Sequence, residues 1–177
     1  MELFEAIARR HSYRGKFLAQ PVPRADLVRI VEAGMAAPSG CNAQTTTFVI
    51  VDDAALIAAI GDIVEKDFVR KAPALIVCVA EHRKVYKGLS FGVEDCAAAV
   101  ENMLLAITAL GYASVWLDGV LRTADRAARI AALLAVPPDR EVRVLLPVGV
   151  PAEHEQPPPK KPFAERAWFN RYGPAQQ

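Results

Sequence analysis

The chain has 177 residues, 53% of them hydrophobic and 7% aromatic, with 21 basic side chains against 20 acidic ones for a formal charge of +1. That length suits one domain around one core, the apolar fraction excludes a disordered chain, and the balanced charge offers no field for nucleic acid or an anionic membrane surface. Cys41, Cys78 and Cys96 form no C-x-x-C pair, so neither a disulfide framework nor a thiolate zinc site is expected, and a reducing cytoplasm is the natural setting.

The amino terminus lacks the order of a signal peptide and reads as an amphipathic helix over Leu3 to Arg9. A second helix follows Pro23, where Leu27, Ile30, Val31, Gly34 and Met35 recur at helical spacing, and Pro38 stops it. The β-branched run Thr45 to Val51 predicts a strand, and Asp52-Asp53 suits the start of a helix over Ala54 to Val64. Ala72 to Ala80 is apolar at successive positions, as in a strand covered on both faces.

From Val93 to Leu110 the chain reads as a helix apolar nearly all round, closed by Gly111, and such a helix needs two buried contacts. A short strand Ser114 to Leu117, a helix Arg126 to Leu134 and a central strand Val142 to Val148 complete the order. Met103 to Leu117 is the longest apolar stretch and falls short of the ~20 residues of a membrane span. Beyond Pro151 the chain turns proline-rich and basic, Gln156 to Pro162, then regains a helical signal over Phe163 to Phe169. One domain over 1–155 with an extended arm over 156–177 is the expected organisation.

Four clusters carry candidate chemistry. Arg10-His11-Ser12-Tyr13-Arg14 combines two guanidiniums, an imidazole and a hydroxyl at a helix end, which suits a phosphate and a polar ring, although a basic helix end taken alone is more often solvated surface. Pro38-Ser39-Gly40-Cys41-Asn42-Ala43-Gln44 is a loop whose amides and hydroxyl can satisfy a heterocycle's imide edge, or a plain turn. Leu117-Asp118-Gly119 ends a strand at a glycine whose backbone N–H a ligand can approach closely, or an ordinary strand-to-loop glycine. Lys160-Lys161 reaches a phosphate if the arm wraps back, and is otherwise a solvated tail. His11, His82 and His154 have no partners at metal-ligand spacing, so no metal site and no side-chain nucleophile are expected.

In this order the clusters resemble the FMN-dependent nitroreductase superfamily over essentially the whole chain. The resemblance rests on Arg10, His11, Ser12 and Arg14 for an R-[HR]-S-x-[RK] pattern and on Pro38, Ser39, Asn42 and Gln44 for P-S-x-x-N-x-Q. Asp95 to Ala106 with Leu110-Gly111-Tyr112 matches the long dimer helix. It implies an α+β fold: three α/β/α layers around a mixed, mainly antiparallel sheet, in an intertwined homodimer whose arms pack on the partner subunit. It further implies that Arg10, His11, Ser12 and Arg14 meet the FMN phosphate, ribityl chain and pyrimidine edge. Pro38, Ser39, Asn42 and Gln44 would reach a flavin held mainly by the partner subunit, with Asn42 on the ring. Leu117, Asp118 and Gly119 would lie beside the flavin, and Lys160 or Lys161 would take its phosphate.

The implied activity is ping-pong hydride transfer from NADH or NADPH through FMN to a small acceptor such as a nitroaromatic or quinone. Two departures stand out: Thr45-Thr46 occupies the place of a frequent Pro-Trp, and the interval from Glu81 to Phe91 is shorter than in members that carry substrate-covering helices there. Two alternatives remain open at this stage, a flavin-binding module that stores, delivers or senses cofactor with little turnover, and a Pro157 to Pro162 segment that docks a protein partner.

Overall fold

A computed structural model describes residues 1–153 and 155–173, so His154 and the last four residues of the arm lie outside the described part. Two helices, α1 (Leu3–Arg9) and α2 (Arg24–Met35), precede strand β1 (Thr46–Val51). Helix α3 (Ala54–Val64) follows, its first turn capped by the Asp53 carboxylate, which accepts from Leu56 N at 2.9 Å as the Asp-Asp signal predicts. The short α4 (Asp67–Arg70), β2 (Ala74–Glu81) and a hairpin of β3 (Lys84–Tyr86) and β4 (Leu89–Ser90) come next. The long α5 (Gly92–Ala109), α6 (Arg126–Leu133) and β5 (Arg140–Val148) complete the domain.

The sheet runs β1-β2-β5, antiparallel throughout, with β2, buried from Ala74 to Ala80, in the middle. Its alternating side chains feed two cores. Ile76, Cys78, Val144 and Leu146 meet Leu27 and Ile30 of α2 and Val100, Met103 and Ile107 of α5. Leu75, Val77 and Leu145 meet Ile57, Ile60 and Val64 of α3, Val69 of α4 and Ile130 of α6 on the other face. The layers are therefore α/β/α, and the unbroken apolar run of β2 follows from cover on both sides.

Three sequence expectations change in detail. Ser114 to Leu117 is not a continuous strand: Ala113 pairs with Gly149 and Leu117 with Leu145, and nothing links them between. In that register Val115 faces Pro147, which has no N–H to donate, so the ladder is interrupted there. The strand Val142 to Val148 begins earlier, at Arg140, and is bulged: Cys78 pairs with Val144 but Val79 with Val142, which leaves Arg143 unpaired. The helical signal over Phe163 to Phe169 yields one 3-10 turn, Phe163–Glu165. The hairpin β3–β4 and α4 carried no periodicity long enough to read.

Burial separates the three thiols. Cys41 is exposed while Cys78 and Cys96 are buried, and a hydrogen bond with Cys96 followed by burial pushes the Cys78 thiol well above its ordinary value. Titration of the native protein with a disulfide reagent is expected to modify Cys41 alone, and all three cysteines after denaturation. Rapid modification of a second thiol in the native protein would contradict this packing.

Candidate functional site

The Arg10 to Arg14 segment leaves α1 as extended chain. Tyr13 anchors it: the residue is 1% exposed, its N–H donates to Ser114 O at 2.9 Å and its hydroxyl to Lys16 O at 2.5 Å. With Tyr13 turned in, Ser12 and Arg14 on either side are turned out to solvent. Arg10 is half-buried, its Nε 3.5 Å from Glu101 of α5. His11 Nδ1 lies 2.9 Å from Arg9 O, so that nitrogen carries the hydrogen and donates. His11 Nε2 is buried with no protein partner, as is Ser114 Oγ, and both residues line a cavity of about 50 Å³. His11 thus buries Nε2 beside Ser114 and spends Nδ1 on the exposed Arg9 carbonyl at the end of α1. Tyr13, which the sequence motif leaves unspecified, is the residue that holds the segment in place.

Leu117 exchanges two hydrogen bonds with Leu145, at 3.1 and 2.9 Å, which sets the 117–119 segment along β5. Asp118 is gripped by Arg122 at 2.7 and 2.5 Å and lies 3.5 Å from Arg143, the bulge residue. The bulge sends Arg143, an otherwise strand-internal residue, across to this turn, and no sequence signal announced it. With the Asp118 carboxylate so engaged, the segment offers a ligand its main chain. Gly119 borders open space, since a Cβ placed there would meet no atom within 4 Å.

The Pro38 to Gln44 loop contains a 3-10 turn, Gly40–Asn42, and three non-glycine residues in left-handed backbone: Cys41 (φ 54°), Asn42 (φ 52°) and Gln44 (φ 51°). Each such residue costs on the order of 1 kcal/mol and persists only where its surroundings hold it. The Ser39 hydroxyl accepts from Gln44 N at 3.0 Å, Arg83 just before the hairpin donates to Ala43 O at 2.7 Å, and buried Asp95 of α5 accepts from Gly40 N at 2.8 Å. Gly40 lies flat on Phe91, where a Cβ would come 2.3 Å from the ring. The result exposes the Asn42 and Gln44 amides beside a cavity of about 250 Å³ lined by Pro38, Ser39 and Gln44.

The four clusters do not converge in one chain. Arg10 to Arg14 and Leu117 to Gly119 share the β5 side of the sheet, whereas the 38–44 loop leads into β1 at the other edge. Three inter-strand steps, on the order of 14 Å, separate the 113–117 segment from β1. Lys160 and Lys161 lie on the extended arm, whose contacts include Lys161 with Glu165 at 3.9 Å, Phe163 with Phe169 and Trp168 with Tyr172. Among the described residues no group of three or more His, Cys, Asp or Glu side chains is placed to hold a metal ion, and no helix is long and apolar enough to cross a membrane.

An α/β/α protein that sets a cationic segment against exposed main chain on one side of an antiparallel sheet, and a rigid amide loop on the other, defines the class. Comparison with known proteins gives the family: the profile described as "Nitroreductase family" matches residues 7–69 and 64–150, and the chain belongs to that family. A relative from Methanothermobacter thermautotrophicus, provisionally named NADH dehydrogenase/NAD(P)H nitroreductase, is 33% identical over 87% of this chain and 80% of its own. A solved structure from Parabacteroides distasonis with the same provisional name superposes with a TM-score of 0.85 at 27% identity, covering 96% of this chain and 98% of that one. A BluB-like flavoprotein from Clostridium difficile 630 matches with a TM-score of 0.83 at 25% identity, covering 97% and 100%.

Proposed function

We propose that this protein is an FMN-dependent NAD(P)H oxidoreductase acting on a small organic acceptor. The observation that carries the reading is the Tyr13–Ser114 hydrogen bond, which holds the cationic Arg10 to Arg14 segment beside the main chain that leads to open Gly119. The donor set fits a phosphate-bearing heterocycle: Arg14 and Lys160 have no ion pair among the described residues, Ser12 is exposed, and the amides of Asn42 and Gln44 face solvent. Arg10, Ser12 and a lysine of the arm, Lys160 or Lys161, would hold the phosphate and ribityl chain, and Arg14 the pyrimidine edge. Asn42, Gln44 and the main chain at Leu117 to Gly119 would hold the ring, with Pro38 and Ser39 shaping the loop.

When bound, FMN supplies hydride transfer from a reduced nicotinamide to the acceptor. The chain's own part is orientation and electrostatics: Arg14 and Asn42 would supply donors to the edge of the ring where negative charge builds on reduction, and preorganised donors stabilise such charge at little cost of rearrangement. His11, tied through Nδ1 to Arg9 O, keeps the Arg10 to Arg14 segment in shape and borders the site.

Because the loop and the Arg10 segment lie at opposite edges of one chain's sheet, a single site needs the loop of a second copy. The exposed faces support this dimer. Beyond its core face α5 leaves Val93 exposed and Ala97, Ala98 and Leu105 half-buried, while α1 presents Leu3, Ile7 and Phe4, the last 83% exposed. Apolar surface of that kind on two neighbouring helices marks an interface. The arm beyond residue 155 would pack on the partner, and the setting is cytoplasmic. Light scattering at micromolar concentration is expected to give twice the 19.2 kDa chain mass, and a monomeric mass would contradict the shared site.

The short β3–β4 hairpin occupies the interval where the resemblance implies covering helices in longer members, which would leave the acceptor an open approach. Nitroaromatics and quinones fit such an approach. Purified protein reconstituted with FMN and mixed with NAD(P)H tests the reading: bleaching followed by reoxidation with an added quinone supports an oxidoreductase, while bound flavin that neither donor reduces would favour a cofactor-carrying module.

A further inference from the structure

Asp95 is buried at 5% exposure in the first turns of α5, and no Lys, Arg or His forms an ion pair with it among the described residues. A carboxylate in that setting is kept only where hydrogen bonds replace its hydration. Its two oxygens take different partners: Oδ1 accepts from Gly40 N at 2.8 Å and Oδ2 from the Thr45 hydroxyl at 2.5 Å. Gly40 and Thr45 bracket the three left-handed residues Cys41, Asn42 and Gln44, so one side chain fixes both ends of the strained segment. The helix N-terminus favours the negative charge, and Thr45, fully buried, has its hydroxyl committed to the clamp.

The geometry points to Asp95 as the positioning residue of the ring-facing loop: by holding Gly40 and Thr45 together it stores the backbone shape that presents Asn42 and Gln44 to the cofactor, without touching the cofactor itself. The inference rests on the proposed FMN site for its functional consequence, and on the hydrogen bonds alone for its structural one. It also gives Thr45 a role in place of the family's more frequent proline: a hydroxyl donor at the exit of the loop.

The test uses full-length Asp95→Ala, Asp95→Asn and Thr45→Val proteins, with FMN affinity from quenching of flavin fluorescence and hydrogen exchange of the 38–45 amides measured before FMN is added. An Ile107→Val variant on the same helix controls for general loss of stability. Asp95→Ala is expected to weaken FMN binding by about tenfold or more and to speed exchange at Gly40, and Asp95→Asn to recover part of both through its remaining carbonyl acceptor. Thr45→Val is expected to fall between wild type and Asp95→Ala. Ile107→Val is expected to lower the melting temperature and leave both readouts at the wild-type level. Wild-type exchange at Gly40 in Asp95→Ala would overturn the clamp. FMN affinity within twofold of wild type, with exchange accelerated, would overturn its link to the cofactor. If the wild-type protein binds no FMN, the proposed function falls, and the exchange measurement alone decides whether Asp95 holds the loop.

Discussion

Replacing Arg10 by Ala is expected to weaken FMN binding by roughly 10- to 100-fold, the value of a charge-assisted contact to phosphate. The side chain leaves the end of α1 in a fixed direction because Arg10 N donates to Ala6 O at 2.9 Å and its guanidinium rests near Glu101. A partly buried guanidinium of this kind keeps its aim in the absence of ligand, so little ordering is needed when an anion arrives. Arg10→Lys keeps the charge but loses the planar fork and is expected to fall between the two. Glu101 competes for the same guanidinium, so Glu101→Gln is expected to tighten FMN modestly. Raising ionic strength is expected to weaken FMN binding by the wild type more than by Arg10→Ala. Unchanged FMN affinity in Arg10→Ala would remove Arg10 from the site.

Leu146→Ala is expected to destabilise the fold by about 2 to 5 kcal/mol. Leu146 is fully buried on β5, facing the α2–α5 core layer between Val144 and Val148, and helices pack over it from one side while the sheet closes the other. Neither layer can collapse onto the vacated volume without pulling α5 out of register with β2, so little of the loss is recovered. A domain of this size typically has ~5 to 15 kcal/mol in total, so the variant is expected to melt about 5 to 20 °C lower at equal protein concentration. Leu146→Met, which nearly conserves volume, is expected to cost under ~1.5 kcal/mol. A denaturation midpoint for Leu146→Ala within error of wild type would contradict the two-core account.

Much of this architecture was legible in the sequence because it rests on local patterns. The unbroken apolar run of β2 foretold a strand covered on both faces, and Asp53 before Ala54 foretold the cap of α3. The apolar residues of α5 foretold a buried helix, and Val100, Met103 and Ile107 do pack against the sheet. What could not be read depends on partners distant in sequence. Pro147 interrupts a ladder only because Val115 lies opposite it, and Arg143 reaches Asp118 only because β5 slips by one residue against β2. Asp95 reads as a polar residue at the start of a helix, and nothing local reveals that Gly40 and Thr45, more than 45 residues earlier, meet on its carboxylate. The site motifs were visible as residue types, whereas their separation to opposite edges of the sheet is a property of the topology.

Whether this protein is a flavin oxidoreductase is decided by the visible absorption spectrum of the protein reconstituted with FMN, recorded anaerobically before and after adding NADH and then NADPH. The expected result is a bound-flavin spectrum that bleaches with at least one donor and returns when a quinone is added. Failure to retain FMN after reconstitution, or a bound flavin that stays oxidised with both donors, would contradict it.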